Sequence, residues 1–342
     1  MDKLLTISIA AYNAEKFINR CLEKIMHSSY LQLLDVIVIN DGSIDSTSAL
    51  AHKLCGKYPE SFKVIDKENG GHGSTINTGI KEAKGKFFRI LDVDDKFNID
   101  ELDKFLEHLM NIDSDLVLSN YVEAHENSNE KIKYECVSND AIYGVEYELD
   151  NIIPYMKLSM HCFTYRTDLL KDNNINIDEN CFYVDTEYVL FPLLYVRTVT
   201  ALKEYVYLYS LGSEDQSVST KSYIRNRQQH KKVLIRLSDF YNVNKGCLSG
   251  NIEKKTIDLI SMMIGKQYWI YLQMTDRKNA WKECKEFDFE LKKASTILYK
   301  TFFDVYDNKK IVLLVLVLRM TRFVCFVPVS IILNKLYRSR AF

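Results

Sequence analysis

From Leu4 to about Asn120, short apolar runs alternate with segments of helical periodicity, and this alternation commits the chain to a mostly parallel sheet flanked by helices. Strands are predicted at Leu5 to Ala10, Asp35 to Ile39, Phe62 to Ile65, Phe87 to Leu91 and Leu116 to Ser119. Asn13 is placed to cap a helix whose Phe17, Ile18, Cys21, Leu22, Ile25 and Met26 recur on one face. Ser74 opens a second helix with Ile76, Ile80 and Ala83 inward, and Leu102, Phe105, Leu106 and Leu109 mark a third. In sheets of this kind ligands sit beyond the carboxyl ends of the strands.

One of those ends is unusual. The run Phe87 to Leu91 stops in Asp92, Asp94 and Asp95, three acceptor-only side chains whose mutual repulsion requires a cation or solvent to offset it. Mg2+ and Mn2+ prefer carboxylate and water oxygens and commonly enter with a phosphate, so the cluster points to a nucleoside-diphosphate enzyme. A solvated acidic turn opening the next helix would look the same in isolation.

Composition removes other classes. Lysine plus arginine (45) nearly cancels aspartate plus glutamate (46), so no global field recruits nucleic acid. Cys21, Cys55, Cys136, Cys162, Cys181, Cys247, Cys284 and Cys325 are scattered without paired spacing, which fits a reducing cytoplasm and argues against a structural zinc site. Met1 to Leu4 runs directly into a strand, and no signal peptide is expected.

Residues 120–215 continue the first domain, with helices predicted after Thr167 and over Asp185 to Leu194 and an apolar run from Val206 to Leu211. Three regions are expected: a catalytic domain over 1–219, a helical module over 220–308 and an apolar, basic tail over 309–342. Ile311 to Leu333 is long enough to span a bilayer, yet Arg319, Arg322, Ser330 and Asn334 form a polar stripe and Pro328 should bend it. A helix or hairpin lying in the membrane surface fits this pattern, with a packed helix pair, contact with a second copy or a true span as alternatives.

Taken in order, Ser8 to Glu15, Val38 to Thr47, Asn69 to Ser74, Asn77-Thr78-Gly79 and Leu91 to Asp95 resemble the family 2 glycosyltransferases, inverting enzymes of GT-A fold that use nucleotide-sugar donors. The resemblance covers roughly residues 4 to 215. It assigns Ala11, Asn13 and Glu15 to the nucleoside pocket and Asp41 to the uracil or ribose. Asp94, with Asp92 and Asp95, falls to the divalent metal, Mn2+ or Mg2+, and Asp92 also neighbours the ribose. Gly71, His72 and Asn77 would line the donor sugar and diphosphate. The resemblance gives the general base to Asp185, where Val184 replaces the family's usual glutamate and Glu187 is a rival. It implies transfer from a nucleoside-diphosphate sugar, a UDP-sugar by the Asp41 motif, to a glycan, lipid-linked glycan or cell-surface polymer. The segment Ser213 to Ser219 matches a family stretch that often carries a basic residue, but here it holds Glu214 and Asp215. A nucleotidyltransferase and a catalytically silent nucleotide-binding scaffold stay open as alternatives. A dehalogenase-type phosphatase is disfavoured, because the first predicted strand ends without carboxylates.

Overall fold

A computed structural model describes residues 2–125, 130–138, 140–211 and 219–338, with side chains as far as Ile332. The segment Ser213 to Val218, with Glu214 and Asp215, lies outside the described residues. The chain divides into two compact units, Met1–Ser213 and Glu214–Phe342.

The first unit is built on one ten-stranded sheet. Its strands are β1 (Leu5–Ala11), β2 (Leu34–Asp41), β3 (Phe62–Lys67), β4 (Phe87–Asp92), β5 (Lys96–Phe97), β6 (Leu116–His125), β7 (Glu130–Tyr134), β8 (Glu146–Glu148), β9 (Phe163–Arg166) and β10 (Thr198–Leu211). They run in the order β3-β2-β1-β4-β9-β6-β10-β5, with β7 beside β6 and β8 beside β10. The helices are α1 (Ile18–Ile25), α2 (Thr47–Cys55), α3 (Gly71–Glu82), α4 (Ile99–Leu109), α5 (Leu149–Ile152), α6 (Thr167–Asp172) and α7 (Asp185–Leu190).

Strands β1 to β4 pair in parallel, as the alternation requires. All eight residues of β2 are buried, the pattern of a strand covered on both faces. Beyond β4 the sheet is mixed: β10 runs parallel to β6, while the shorter strands pair antiparallel. Four-residue β9 runs antiparallel to both β4 and β6, and β5 runs antiparallel to β10. Strands this short leave no readable period in a sequence.

Two helix starts differ from expectation. Asn13 caps nothing: it adopts a left-handed φ of 47°, and α1 begins only at Ile18. Helix α3 begins at Gly71, three residues before Ser74, because the flexible glycines enter the helix instead of preceding it.

At the centre of the sheet, the fully buried Arg89 of β4 donates to Ser119 Oγ of β6 at 2.8 Å, to Thr164 Oγ1 of β9 at 3.2 Å and to the His161 carbonyl. Rings of Phe97, Phe105 and Tyr207 surround its guanidinium at 5.5–6.0 Å. Burial lowers its pKa to about 10, so it stays a cation at neutral pH. It joins three strands through neutral acceptors and aromatic faces.

The second unit is helical: α8 (Thr220–Arg225), α9 (Arg227–Asn244), α10 (Gly250–Gln273), α11 (Arg277–Ala294), α12 (Thr296–Val305), α13 (Lys309–Met320) and α14 (Phe326–Arg338). Ile260, Ile264, Tyr268, Phe287, Leu291 and Phe302 are fully buried in its core. The chain from Ile311 onward is two helices broken at Thr321 to Cys325, where Arg322 and Phe323 take positive φ, and not one segment bent at Pro328. Pro328 sits in the first turn of α14, where a missing N–H costs nothing. The expected polar stripe turns inward: Arg319 meets Asp288 at 2.6 Å and lies 3.5 Å from the Tyr299 ring centre, while Ser330 is buried. Among the described residues no helix is long and apolar enough to cross a membrane.

Candidate active site

The loops at the carboxyl ends of β1 and β2 are tied to each other. The Asn13 N–H donates to Ser43 Oγ at 2.9 Å, and the Ile44 N–H donates to Asn13 Oδ1 at 3.0 Å. One residue pair on, the Glu15 N–H donates to Asp45 and the Ser46 N–H to Glu15 Oε2. Asn13 and Glu15 thus shape the rim beside Ala11, the buried last residue of β1, and join it to the turn that follows Asp41.

Asp41 ends β2 and is buried. Its carboxylate accepts from the N–H groups of Gly70 (2.9 Å) and Gly71 (2.8 Å) and pairs with Lys67 Nζ at 2.8 Å. The side chain that the family resemblance assigns to the nucleoside therefore also fixes the glycine loop. Gly71 holds φ +78°, so the loop's shape depends on a residue without a Cβ there.

That loop delivers His72 to the acidic cluster. His72 Nε2 stands 3.1 Å from Asp92 Oδ1, both side chains half-buried. Burial opposes a charge on each, but their attraction outweighs it: the His72 pKa is raised and the Asp92 pKa lowered, an ion pair. Asp92, Asp94 and Asp95 each place a carboxylate oxygen within 4.8 Å of the others. Burial, then repulsion from Asp92, pushes Asp94 up to about 6, and Asp95 is pushed well above the ordinary carboxylate range by burial and both neighbours. Such a group of oxygens, held together against their own repulsion, fits a hard divalent cation.

The three aspartates are not equivalent. Asp95 is fully buried and accepts from Tyr207 Oη at 2.6 Å and the Ser210 N–H at 2.7 Å, which anchors the turn to β10. Tyr207 Oη also receives the Asp92 N–H at 3.3 Å. Arg20 of α1 donates to the Asp94 carbonyl at 2.9 Å. Asp92 and Asp94 keep side chains partly open to solvent.

Asp185 opens α7, exposed to solvent. Crowding by protein atoms raises its pKa; His72 pulls it down and Asp92 pushes it up, so this carboxyl faces the same charges as the metal candidates. Val184 is fully buried, and Glu187 is turned into the interior, where its carboxylate accepts the Asp178 N–H at 2.8 Å. Asn77 clamps the segment before α7, donating to the Ile177 carbonyl (2.9 Å) and accepting the Ile177 N–H (2.8 Å).

Sequence reasoning missed Tyr207, Lys67, Arg20 and His161. The ring of His161 lies between Tyr209 (4.3 Å, stacked) and Tyr207 (4.7 Å, edge-on), and Asp92 contributes to its electrostatic surroundings. Lys67 alone had a signal, as a cation at the carboxyl end of a strand.

A sheet of this order with its acidic turn beyond β4 is the GT-A fold, the architecture of nucleotide-sugar transferases. Residues 6–174 match the profile of glycosyl transferase family 2, and through this domain the chain belongs to that family. Over 202 residues it is 30% identical to a teichoic acid poly(glycerol phosphate) polymerase of Staphylococcus epidermidis, covering 58% of this chain and 27% of that protein. A Rickettsia typhi protein described as an uncharacterized glycosyltransferase is 25% identical over 334 residues, 90% of this chain and 98% of its own length. The chain thus spans 27% of that polymerase and 21% of a Streptococcus pneumoniae glycosyltransferase, both far longer than it, while its match to a putative Bacillus subtilis glycosyltransferase of similar length covers 35% of that protein. Among solved structures, TarS residues 1–349 of S. aureus in complex with UDP-GlcNAc aligns with TM-score 0.68 at 18% identity, over 99% of this chain and 93% of that one. The mannosyltransferase PcManGT of Pyrobaculum calidifontis, with GDP-Man and Mn2+, aligns with TM-score 0.53 at 13% identity, over 98% and 87%.

Proposed function

We propose that the chain is an inverting glycosyltransferase that moves a sugar from a nucleoside-diphosphate sugar, a UDP-sugar, to a hydroxyl of a glycan, a lipid-linked glycan or a cell-surface polymer. The observation that carries this reading is the convergence of Asp92, Asp94 and Asp185 on His72 at the carboxyl end of β4. The named partners of the related folds, UDP-GlcNAc for TarS and GDP-Man with Mn2+ for PcManGT, support the donor class.

Asp94 and Asp92 would hold Mn2+ or Mg2+, which when bound neutralises the charge of the departing diphosphate. Asp95, bound to Tyr207 and Ser210, sets the turn's shape and is the weakest ligand candidate. Asp185 serves as base. A sugar hydroxyl is too weak an acid to attack unaided, and a carboxylate of raised proton affinity close to it can take the proton as the bond to the anomeric carbon forms. Attack opposite the leaving group inverts that carbon without a covalent enzyme intermediate. Ala11, Asn13, Glu15 and Asp41 frame the nucleoside, and Gly71 with His72 borders the diphosphate. We place the reaction in the cytoplasm, in keeping with eight free cysteines.

A panel of nucleotide sugars, each incubated with protein and Mn2+, tests the reading by release of nucleoside diphosphate. One or a few donors should turn over, and Asp94→Ala should remove the metal-dependent rate. Turnover of a nucleoside triphosphate with a sugar phosphate in place of a nucleotide sugar would assign the site to nucleotidyl transfer.

A further inference from the structure

The last two helices are apolar on both sides. On α13 the residues Ile311, Leu314, Val315 and Leu318 are buried within the helical unit, while Leu313, Leu316 and Met320, spaced three and four apart, face outward. On α14 Phe326 and Val329 are buried, and Val327 and Ile331 face outward. Val324 in the connecting turn is 82% exposed, Met320 75% and Leu313 59%. A helix that is apolar all round is stable when both its sides meet an apolar medium, and here only one side meets protein.

The chemistry around this face names the other medium. From Lys309 to the last residue the sequence holds seven lysines and arginines and no aspartate or glutamate, in a chain of net charge −1. Lys309, Lys310 and Arg322 are exposed at the two ends of α13, whereas Arg319, which would interrupt the apolar face, is folded inward onto Asp288. Trp281 of α11 stands at the turn, 39% exposed, its indole N–H donating to the Phe323 carbonyl at 3.0 Å and Lys285 lying 5.3 Å from its ring centre. Apolar side chains at the centre, a tryptophan at the edge and cations around them match the interfacial zone of an anionic bilayer. A second copy docked face to face would bring these like charges together.

We infer that the α13–α14 hairpin is a membrane-docking face that seats Leu313, Leu316, Met320, Val324, Val327 and Ile331 among the lipids of an anionic bilayer. No transferase activity enters this inference, so the donor assignment can fail without it. If both stand, docking brings the enzyme to the surface on which a lipid-linked acceptor would lie.

The test is flotation of the full chain with phosphatidylcholine vesicles containing or lacking 30% phosphatidylglycerol. Binding to the anionic vesicles is expected, weaker at high salt and on neutral lipid. Each of Lys309→Gln and Lys310→Gln should weaken it about fivefold, and each of Leu313→Ser, Met320→Ser and Val324→Ser roughly tenfold. A readout on the unaltered protein guards against misfolded variants: brominated lipid should quench Trp281, and the quenching should vanish in Trp281→Phe, leaving Trp269 unquenched. Protein that stays unbound and unquenched overturns the inference. So does a stable dimer, measured by light scattering, that the same serine substitutions dissolve.

Discussion

Replacing Gly73 by alanine probes whether the glycine-rich start of α3 holds the candidate base in place. A Cβ at Gly73 would lie 1.9 Å from the Asp178 carbonyl oxygen, 2.9 Å from its carbon and 3.1 Å from Ile177 Cγ2. Backbone atoms give way less readily than side-chain tips, so α3 and the segment Ile177 to Cys181 must part by about 1 Å before that contact becomes tolerable. Four hydrogen bonds resist: the two between Asn77 and Ile177, the Asn77 amide to Glu179 Oε1 at 3.1 Å, and the Asn180 N–H to the Gly70 carbonyl at 2.5 Å. Overpacking of this kind costs about 1–3 kcal/mol, and each kcal/mol lowers the melting temperature of a domain this size by about 2–4 °C.

The displaced segment leads directly into α7, so the same shift moves Asp185 relative to His72 and Asp92. A misplacement of about 1 Å costs roughly a hundredfold in rate. The assay pairs thermal unfolding with donor turnover, and Gly246→Ala, whose added methyl meets nothing within 4 Å, serves as control with a change of about 0.5 kcal/mol or less. If Gly73→Ala melts and turns over like the unaltered chain, the segment is not packed on α3 as described and the coupling argument falls.

Asp185→Asn should lower transfer by two to four orders of magnitude while nucleotide affinity, read by calorimetry, stays within about twofold; a variant that still transfers sugar moves the base elsewhere. His230 and His161 are each pushed down to about 4, chiefly by burial. The unfolded chain binds their protons from about pH 6.5 downward and the folded chain does not, so stability is full above that pH and falls below it. Each site should cost about 2 kcal/mol by pH 5. His230→Asn, which retains a donor for Gln267, should flatten that slope in urea unfolding; an unchanged slope would refute a neutral His230. In the helical unit, Arg319→Met leaves the buried Asp288 without its cation and should destabilise by about 3–5 kcal/mol, with much of the loss restored when Asp288→Asn is added. Equal unfolding midpoints for Arg319→Met and the double variant would show that the ion pair is not the source.

The legible parts of this molecule are those in which one residue's chemistry suffices. Strands β1, β2 and β4 are legible because they are buried along almost their whole length, and the aspartate cluster stands out because three carboxylates at a strand end need an explanation wherever the chain goes next. What was not legible depends on partners distant in sequence. Asp95 reads like Asp94 until Tyr207, 112 residues away, donates to it, and Asn13 reads as a helix cap until Ser43 and the Ile44 N–H claim its backbone and side chain. His72 looks like a loop residue because its 3.1 Å approach to Asp92 is set by how α3 docks on β1 and β2. The tail shows the same dependence with the opposite sign. Its helical period puts Arg319 and Arg322 on one stripe, as though both faced water, but the period cannot say which side of a helix meets protein. Asp288, buried beneath Tyr268 and Tyr299, draws Arg319 inward and leaves only Arg322 outside. The outward surface of α13 is therefore leucine and methionine where a polar stripe was expected, and this exchange makes bilayer contact a testable property of the fold.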